Sequence, residues 1–212
     1  MQVWSAKSKQ VVGEIRDTAG VHGVALAHDL HRGFTSNGRA NTVTVFDLGD
    51  LHTIKTIPVG GTNPDDIIYE PRSRRVYAFN GRSGSASVID AERLEVVANI
   101  PLGGKPEAAV SDGAGHVFVN IEDTAELAVL DEASNRVVSR WPLAPCADPT
   151  GLAIDAAHGR LFSVCRNRQM VIVDAASGRH VATVPIGGSP DGAKFDPALG
   201  LAFSANGEGT LT

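Results

Sequence analysis

Long apolar runs, excess basic charge and cysteines are all scarce in this sequence. No stretch approaches the ~18 consecutive apolar residues that a membrane-spanning helix requires. The 24 acidic residues outnumber the 19 basic ones, and the net charge of −5 argues against nucleic acid or an anionic membrane as a partner. With only two cysteines, a disulfide-rich scaffold and a four-cysteine zinc site are excluded. The first ten residues contain no apolar core, so we expect no signal peptide in this chain.

Catalytic and cofactor motifs are missing as well. The sequence contains no HExxH metal motif, no GxSxG nucleophile motif, no phosphate-binding loop and no CxxCH for covalent haem attachment. Aromatic residues make up only 5% of the chain, and we expect all of them on strands. That placement leaves none in loops to stack on a nucleic-acid base or a quinone cofactor, which argues against both functions.

What the sequence does contain is an internal repeat of about 42 residues. The first marker is an aromatic residue three positions before a turn residue, at Phe34, Tyr77, Phe118, Phe162 and Phe203. A second marker is an apolar residue followed by aspartate, at Asp47, Asp90, Asp131 and Asp174. The third is an apolar residue followed by proline, at Pro58, Pro101, Pro142 and Pro185. The three markers keep one phase, which is the pattern of a repeat architecture.

Each repeat holds four short apolar runs separated by turn residues. In one copy the runs are 151–154, 161–164, 170–173 and 181–184. Short runs with β-branched residues between Gly, Pro, Asn and Asp indicate strands, and helical spacing is not sustained anywhere. Four strands per repeat of this length predict an all-β fold, a β-propeller with four-stranded blades. We name the strands a to d in each blade, from the innermost outward.

The repeat divides the chain into four full units and two half-blades. We expect these units at 1–22 (half), 23–65, 66–107, 108–150, 151–191 and 192–212 (half). The two halves, a c–d pair at the front and an a–b pair at the back, could pair and close a five-bladed ring. Alternatively, the chain is a fragment of a larger propeller, which is the interpretation that we favour. In a fragment, unpaired edge strands would be exposed and prone to association.

Several segments resemble the YVTN β-propeller repeat family, whose bacterial members are described as YncE-like. The resemblance is carried by Phe34–Gly38, Ser87–Asp90 and Ala182–Gly187, and it covers essentially the whole chain. The motif is specific for the blade and does not specify a reaction. The resemblance implies about seven blades, which this chain does not supply, and export to a periplasmic or extracellular location.

One polar position recurs at the start of strand a, on the face where propeller ligand sites usually lie. Its residues are His22, Asp65, Glu107, Thr150 and Asp191. We expect them to ring the channel mouth and bind a ligand there. Carboxylates and an imidazole on one axis could hold a hard cation such as Ca²⁺, bind a cationic ligand or exchange protons. The alternative is that these side chains only build the turn. For Asp47, Asp90, Asp131 and Asp174, at the end of strand c, we expect turn formation.

These observations favour a non-enzymatic propeller that binds a small ligand or a protein at the channel mouth. One alternative is a metal-assisted hydrolase of the lactonase type, with Asp65, Glu107, Asp191 and His22 around a divalent cation. Another is a surface for protein interaction alone. We expect no cofactor beyond such a cation.

The two cysteines occupy exceptions to the repeat. Cys146 lies in a d-to-a loop that carries Ala-Pro-Cys where three other d-to-a loops carry a glycine pair, and Cys165 replaces the asparagine at the end of strand b. Both loops flank one blade on one face, so we expect a disulfide, and the export of the resembling family favours it. The alternative is two free thiols. We also expect Phe34, Tyr77, Phe118 and Phe162 to be buried between blades, and Phe203 to be less so.

Overall fold

The computed structural model describes every residue from Met1 to Thr212, and its fold is all-β. Strands hold 59% of the residues and helix 1%, a single 3₁₀ turn at His28–Leu30. The chain divides into two compact units, Met1–Ile100 and Pro101–Thr212. No helix has the length and apolar character needed to cross a membrane.

Unit 1 contains one two-stranded and two four-stranded antiparallel sheets. Its strands are β1 (Gln2–Ser5), β2 (Gln10–Glu14), β3 (Val21–Ala27), β4 (Arg32–Asn37), β5 (Thr42–Asp47), β6 (Thr53–Pro58), β7 (Pro64–Glu70), β8 (Arg75–Asn80), β9 (Ser85–Asp90) and β10 (Glu95–Pro101). The sheets are β1–β2, β3–β6 and β7–β10, each a meander in chain order. As predicted, the first two strands form an isolated c–d pair.

Unit 2 contains two four-stranded sheets and one three-stranded sheet. Its strands are β11 (Pro106–Ser111), β12 (His116–Ile121), β13 (Glu126–Asp131), β14 (Arg136–Pro142), β15 (Pro149–Asp155), β16 (Arg160–Cys165), β17 (Gln169–Asp174), β18 (His180–Pro185), β19 (Pro190–Asp196), β20 (Leu201–Asn206) and β21 (Thr210–Leu211). The sheets are β11–β14, β15–β18 and β19–β21. The predicted a–b pair at the end of the chain is extended by β21, the first residues of a strand c.

Each four-stranded sheet is a blade of the propeller type, with its a strand packed against the a strand of the next sheet. This contact joins β3 to β7 in unit 1, and it joins β11 to β15 and β15 to β19 in unit 2. The a strands begin at Val21, Pro64, Pro106, Pro149 and Pro190, slightly before the unit boundaries expected from the sequence. The repeat therefore predicted the number of blades. Each a strand starts two residues earlier than the unit start expected from the sequence.

The repeated asparagine at the end of strand b is buried, where the sequence suggested a turn residue. The Asn37 side-chain amide donates to Thr44 Oγ1 at 2.8 Å and to Thr42 Oγ1 at 3.1 Å. Asn80 donates in the same way to Ser85 at 3.1 Å and Ser87 at 3.0 Å. Because a buried amide must be hydrogen-bonded, this residue ties strand b to the hydroxyls of strand c in its own blade.

The recurring aspartates at the end of strand c do build the c-to-d turn, as predicted. In two blades, Asp47 Oδ1 accepts the backbone N–H of Gly49 at 2.7 Å, and Asp90 Oδ1 accepts that of Arg93 at 2.8 Å. Asp131 and Asp174 accept from the same turn in unit 2. These are Asx turns, in which the side chain replaces a backbone acceptor.

Three of the five repeat aromatics form the core, and Phe203 is only partly buried, as expected. Phe34 and Tyr77 are fully buried in unit 1, and Phe118 is 1% exposed in unit 2. Phe162 was predicted to be buried as well, but it is only partly buried. It stacks on Phe195, with ring centroids 5.7 Å apart, and Phe195 lies on the three-stranded sheet. That sheet is narrower than the four-stranded sheets, so it covers less of the ring.

Candidate functional site

His22 and Asp65 are brought together in unit 1, on neighbouring a strands. His22 Nδ1 lies 3.3 Å from Asp65 Oδ1, and the two side chains are 48% and 36% exposed. Ser36 holds the strands in this position: its hydroxyl accepts the Gly23 N–H at 2.8 Å and donates to the Asp65 carbonyl. Since Nδ1 faces the carboxylate, the other ring nitrogen is left for a ligand.

A polar cleft of about 490 Å³ adjoins this pair. Its lining combines His22 on β3 with residues of the d-to-a and b-to-c loops, namely Gly20, Gly38, Arg39, Asn41, Thr62, Asn63 and Arg82. The cleft is shaped by backbone hydrogen bonds between these two loop types, from Gly38 N to Gly20 O at 2.8 Å and from Gly81 N to Asn63 O at 2.9 Å. It is therefore part of the blade framework, present before any ligand arrives.

Two arginines that the sequence analysis overlooked give this cleft its charge. Arg39 and Arg82 are both exposed, and neither guanidinium has a carboxylate within ion-pair distance or a hydrogen bond within the protein. The sequence does contain a pattern that points to these two arginines. The tripeptide Asn-Gly-Arg occurs at 37–39 and again at 80–82, at the same place in the repeat. Gly38 matters here because a Cβ at this position would lie 3.2 Å from His22 Nε2. The glycine leaves open the space beside that nitrogen.

Glu107 lies in unit 2 within an ion-pair cluster. Lys105 Nζ is 2.5 Å from Glu107 Oε1 and also contacts Glu122, and Arg166 Nη2 is 3.1 Å from Glu122 Oε1. Burial, together with the Glu122 carboxylate, raises the pKa of Glu107 in spite of Lys105. Burial acts in the same direction on Glu122, but hydrogen bonds from Lys105 and Glu107 hold the pKa of Glu122 below its usual value. A divalent cation at these carboxylates would have to displace the lysine ammonium group.

The last two predicted site residues have different surroundings. Thr150 is buried, and its hydroxyl donates to the Pro190 carbonyl at 2.9 Å, so it joins two a strands and does not face solvent. Asp191 is exposed in a small cleft that Arg166 also lines. Of the five predicted residues, the structure therefore pairs His22 with Asp65 and gives Glu107, Thr150 and Asp191 partners or neighbours of other kinds.

One group of potential metal ligands escaped the sequence analysis. Ligand atoms of Asp47, Asp50 and His52 lie within 4.8 Å of one another. Their contacts are those of the c-to-d turn: Asp47 Oδ1 accepts the Asp50 N–H at 3.2 Å, and Asp50 Oδ1 lies 2.5 Å from His52 Nδ1. Turn formation accounts for the whole group.

The two cysteines form a disulfide bond in unit 2. Cys146 and Cys165 have Cα atoms 5.4 Å apart and are nearly inaccessible to solvent. The bond links the d-to-a loop of the β15–β18 blade to its b-to-c loop, directly before Arg166. It thereby fixes one of the loops that carry the ion-pair cluster.

Comparison with known proteins supports the fold and nothing more specific. No protein-family model matches the chain, and no curated protein matches its sequence. Among solved structures, a chain of hydrazine synthase from Kuenenia stuttgartiensis is similar with a TM-score of 0.65. The match covers 100% of this chain and 88% of that one, at 18% sequence identity. At this identity the likeness establishes a β-propeller type of fold and carries no chemistry with it.

Proposed function

We propose that this protein is a binding propeller of the YVTN type, YncE-like, whose ligand is a small phosphate or carboxylate anion held in the unit 1 cleft. The observation that carries the proposal is the pair of unpartnered guanidinium groups, Arg39 and Arg82, lining one cleft with His22. Surface arginines usually gain from a carboxylate nearby, and here none is within reach. An anionic ligand would supply the missing partner.

The chemistry of the lining suits an anion. Guanidinium groups match carboxylate and phosphate oxygens with two parallel hydrogen bonds, which are stronger than bonds between neutral groups. The Thr62 hydroxyl and the free nitrogen of His22 add further polar contacts in the same cleft. Because the chain as a whole carries a net charge of −5, this local positive charge runs against its average. A local reversal of sign is typical of a site that selects its ligand by charge.

We further propose a periplasmic or extracellular location. The disulfide between Cys146 and Cys165 supports it, since such bonds persist in oxidising compartments. Family resemblance in the repeat points the same way. A binding role, in contrast to catalysis, also fits a fold in which most of the recurring polar residues form turns or join strands.

Calorimetry with inorganic phosphate, sulfate and citrate tests the binding proposal. We expect at least one of the three to bind, and its affinity to fall as salt is added, because the site is exposed. Replacing both Arg39 and Arg82 by glutamine should weaken binding about a hundredfold or more, since each charged hydrogen-bond partner contributes roughly 1.5–3 kcal/mol. A Gly38→Ala variant, which fills the space beside His22, should weaken it less.

The matched control is Arg72→Gln, which removes an exposed arginine of unit 1 that does not line the cleft. It should bind as the unaltered protein does. The proposal is wrong if none of the three anions binds, or if the control loses as much affinity as the double variant. Circular dichroism of each variant checks that the β structure is retained.

A further inference from the structure

We propose that unit 2 carries a separate binding site for a small, planar, uncharged aromatic molecule that bears a hydrogen-bond acceptor. The site is a cleft of about 470 Å³ between the β11–β14 and β15–β18 blades. This volume lies in the range of about 300–1,000 Å³ usual for small-molecule sites. The inference does not depend on the anion site of unit 1, with which it shares no residue.

The walls of the cleft are mostly apolar, and many of the residues are small. They are Ala114, Val129, Val138, Trp141, Ile154, Ala156, Gly159, Ala175 and Ala176. Alternation along β14 puts Ser139 and Trp141 on one face of that strand, and Ser139 pairs with Val129 on β13. Alanine and glycine in the turns of both blades leave the volume unfilled. An apolar space bounded by a flat ring suits a planar guest.

Trp141 is fixed in place by its own contacts. Its ring lies 5.9 Å from that of Phe118, at an interplanar angle of 33°. A Cβ on Gly178 would lie 2.2 Å from the indole, so the glycine is what allows the ring to rest against the next blade. The indole is only partly buried, so part of it remains available to the cleft. A ring held in this way can stack on a ligand at little cost in side-chain entropy.

Three polar groups in the lining have no protein partner. They are the Trp141 indole N–H, the Ser139 hydroxyl and His116 Nε2. His116 Nδ1 is occupied, because it lies 3.0 Å from Asp112 Oδ2. The indole can only donate, and the hydroxyl can donate, so the complementary ligand carries an acceptor such as a carbonyl oxygen.

The lining of the cleft offers no free charge, which favours a neutral ligand. No lysine or arginine lines the cleft, so nothing there would hold an anion. Asp112 is its only carboxylate, and it already accepts the backbone N–H groups of Ala114 at 2.7 Å and His116 at 3.0 Å, besides the imidazole. A cationic ligand would find no free carboxylate. A neutral molecule with one acceptor fits both facts.

Nuclear magnetic resonance of the indole N–H groups tests the site directly, with coumarin as the probe. The chain has two tryptophans, so a ¹⁵N-labelled sample gives two indole signals, which a Trp4→Phe variant assigns. Coumarin is planar and neutral and has a carbonyl acceptor. We expect it to shift the Trp141 signal saturably and to leave the Trp4 signal in place, although Trp4 is 57% exposed. An unmoved Trp141 signal, or equal shifts of both signals, overturns the proposal.

A pair of equivalent substitutions locates the site within the blade. Ala176 lines the cleft in the c-to-d turn of one blade, and Ala133 occupies the same turn position in the neighbouring blade without lining it. Ala176→Phe should fill the cleft and weaken coumarin binding about tenfold or more, whereas Ala133→Phe should not change it. The site is misplaced if Ala176→Phe binds coumarin normally while the backbone signals show an intact fold.

Discussion

Removing the Phe118 ring should destabilise unit 2 more than removing any ring that is only partly buried. Phe118 is 1% exposed and belongs to a core that includes Leu127, Leu143 and Leu161. Truncation of a fully buried phenylalanine to alanine costs about 3–5 kcal/mol, from lost burial and the cavity left behind. The contact with the Trp141 ring, at 5.9 Å, adds roughly 0.5–1.5 kcal/mol. We therefore expect Phe118→Ala to lower the free energy of unfolding by about 3.5–6.5 kcal/mol.

Urea unfolding monitored by fluorescence measures this loss. A Trp4→Phe background leaves Trp141 as the only tryptophan, so the signal reports unit 2. The control is Phe203→Ala, on the three-stranded sheet, where the ring is only partly buried and the expected loss is roughly 1 kcal/mol. A loss below about 1 kcal/mol for Phe118→Ala would contradict the core described here, and so would equal losses for the two variants.

Two further predictions concern unit 2. Replacing both Cys146 and Cys165 by alanine should lower the free energy of unfolding by about 3 kcal/mol on the loop-entropy model, for a sequence separation of 19; peptide mapping without reductant checks the bond, and two freely alkylated thiols in protein from an oxidising compartment would contradict it. Burial acts to raise the pKa of Asp112, but hydrogen bonds from His116 and Ala114 hold that pKa below the ordinary 3.8. Its ionised form therefore stabilises the fold above pH 3.8, and this contribution is lost as the pH falls through the lowered value. Acid titrations should show a flatter loss of stability for Asp112→Asn than for the unaltered protein, and identical curves would refute this assignment.

The sequence predicted the blade because each repeat marker has a local physical cause. Asp47 and Asp90 build turns with backbone groups two and three residues away, so their role can be read without the rest of the chain. Phe34 and Tyr77 mark the buried strand because a large ring is fully covered only on a central strand of the blade. Phe162 failed this reasoning because its burial depends on the size of the next sheet, which lies outside its own repeat.

The same limit explains why the candidate site was only partly predicted. His22 and Asp65 could be placed side by side, because their positions repeat on neighbouring a strands. Arg39 and Arg82 were missed because what sets them apart is the lack of an ion-pair partner. Whether an arginine has a partner depends on all the side chains around it in the fold, and the sequence does not show these. Glu107 showed the opposite error. It was expected at the channel mouth as a ligand-binding residue, but Lys105 lies beside it in the fold and pairs with it.

The loops, and not the blades, distinguish the two units. At one position of the b-to-c loop, the two blades of unit 1 carry Arg39 and Arg82 after glycine, whereas the first blade of unit 2 carries Asp123 after Glu122. The arginines are left without partners, and Glu122 is held by Lys105 and Arg166. Because the strands beneath these loops repeat so closely, the change of charge cannot be required by the blade. Unpaired charges that the blade does not require, lining a preformed cleft, are the basis of the anion-binding proposal for unit 1.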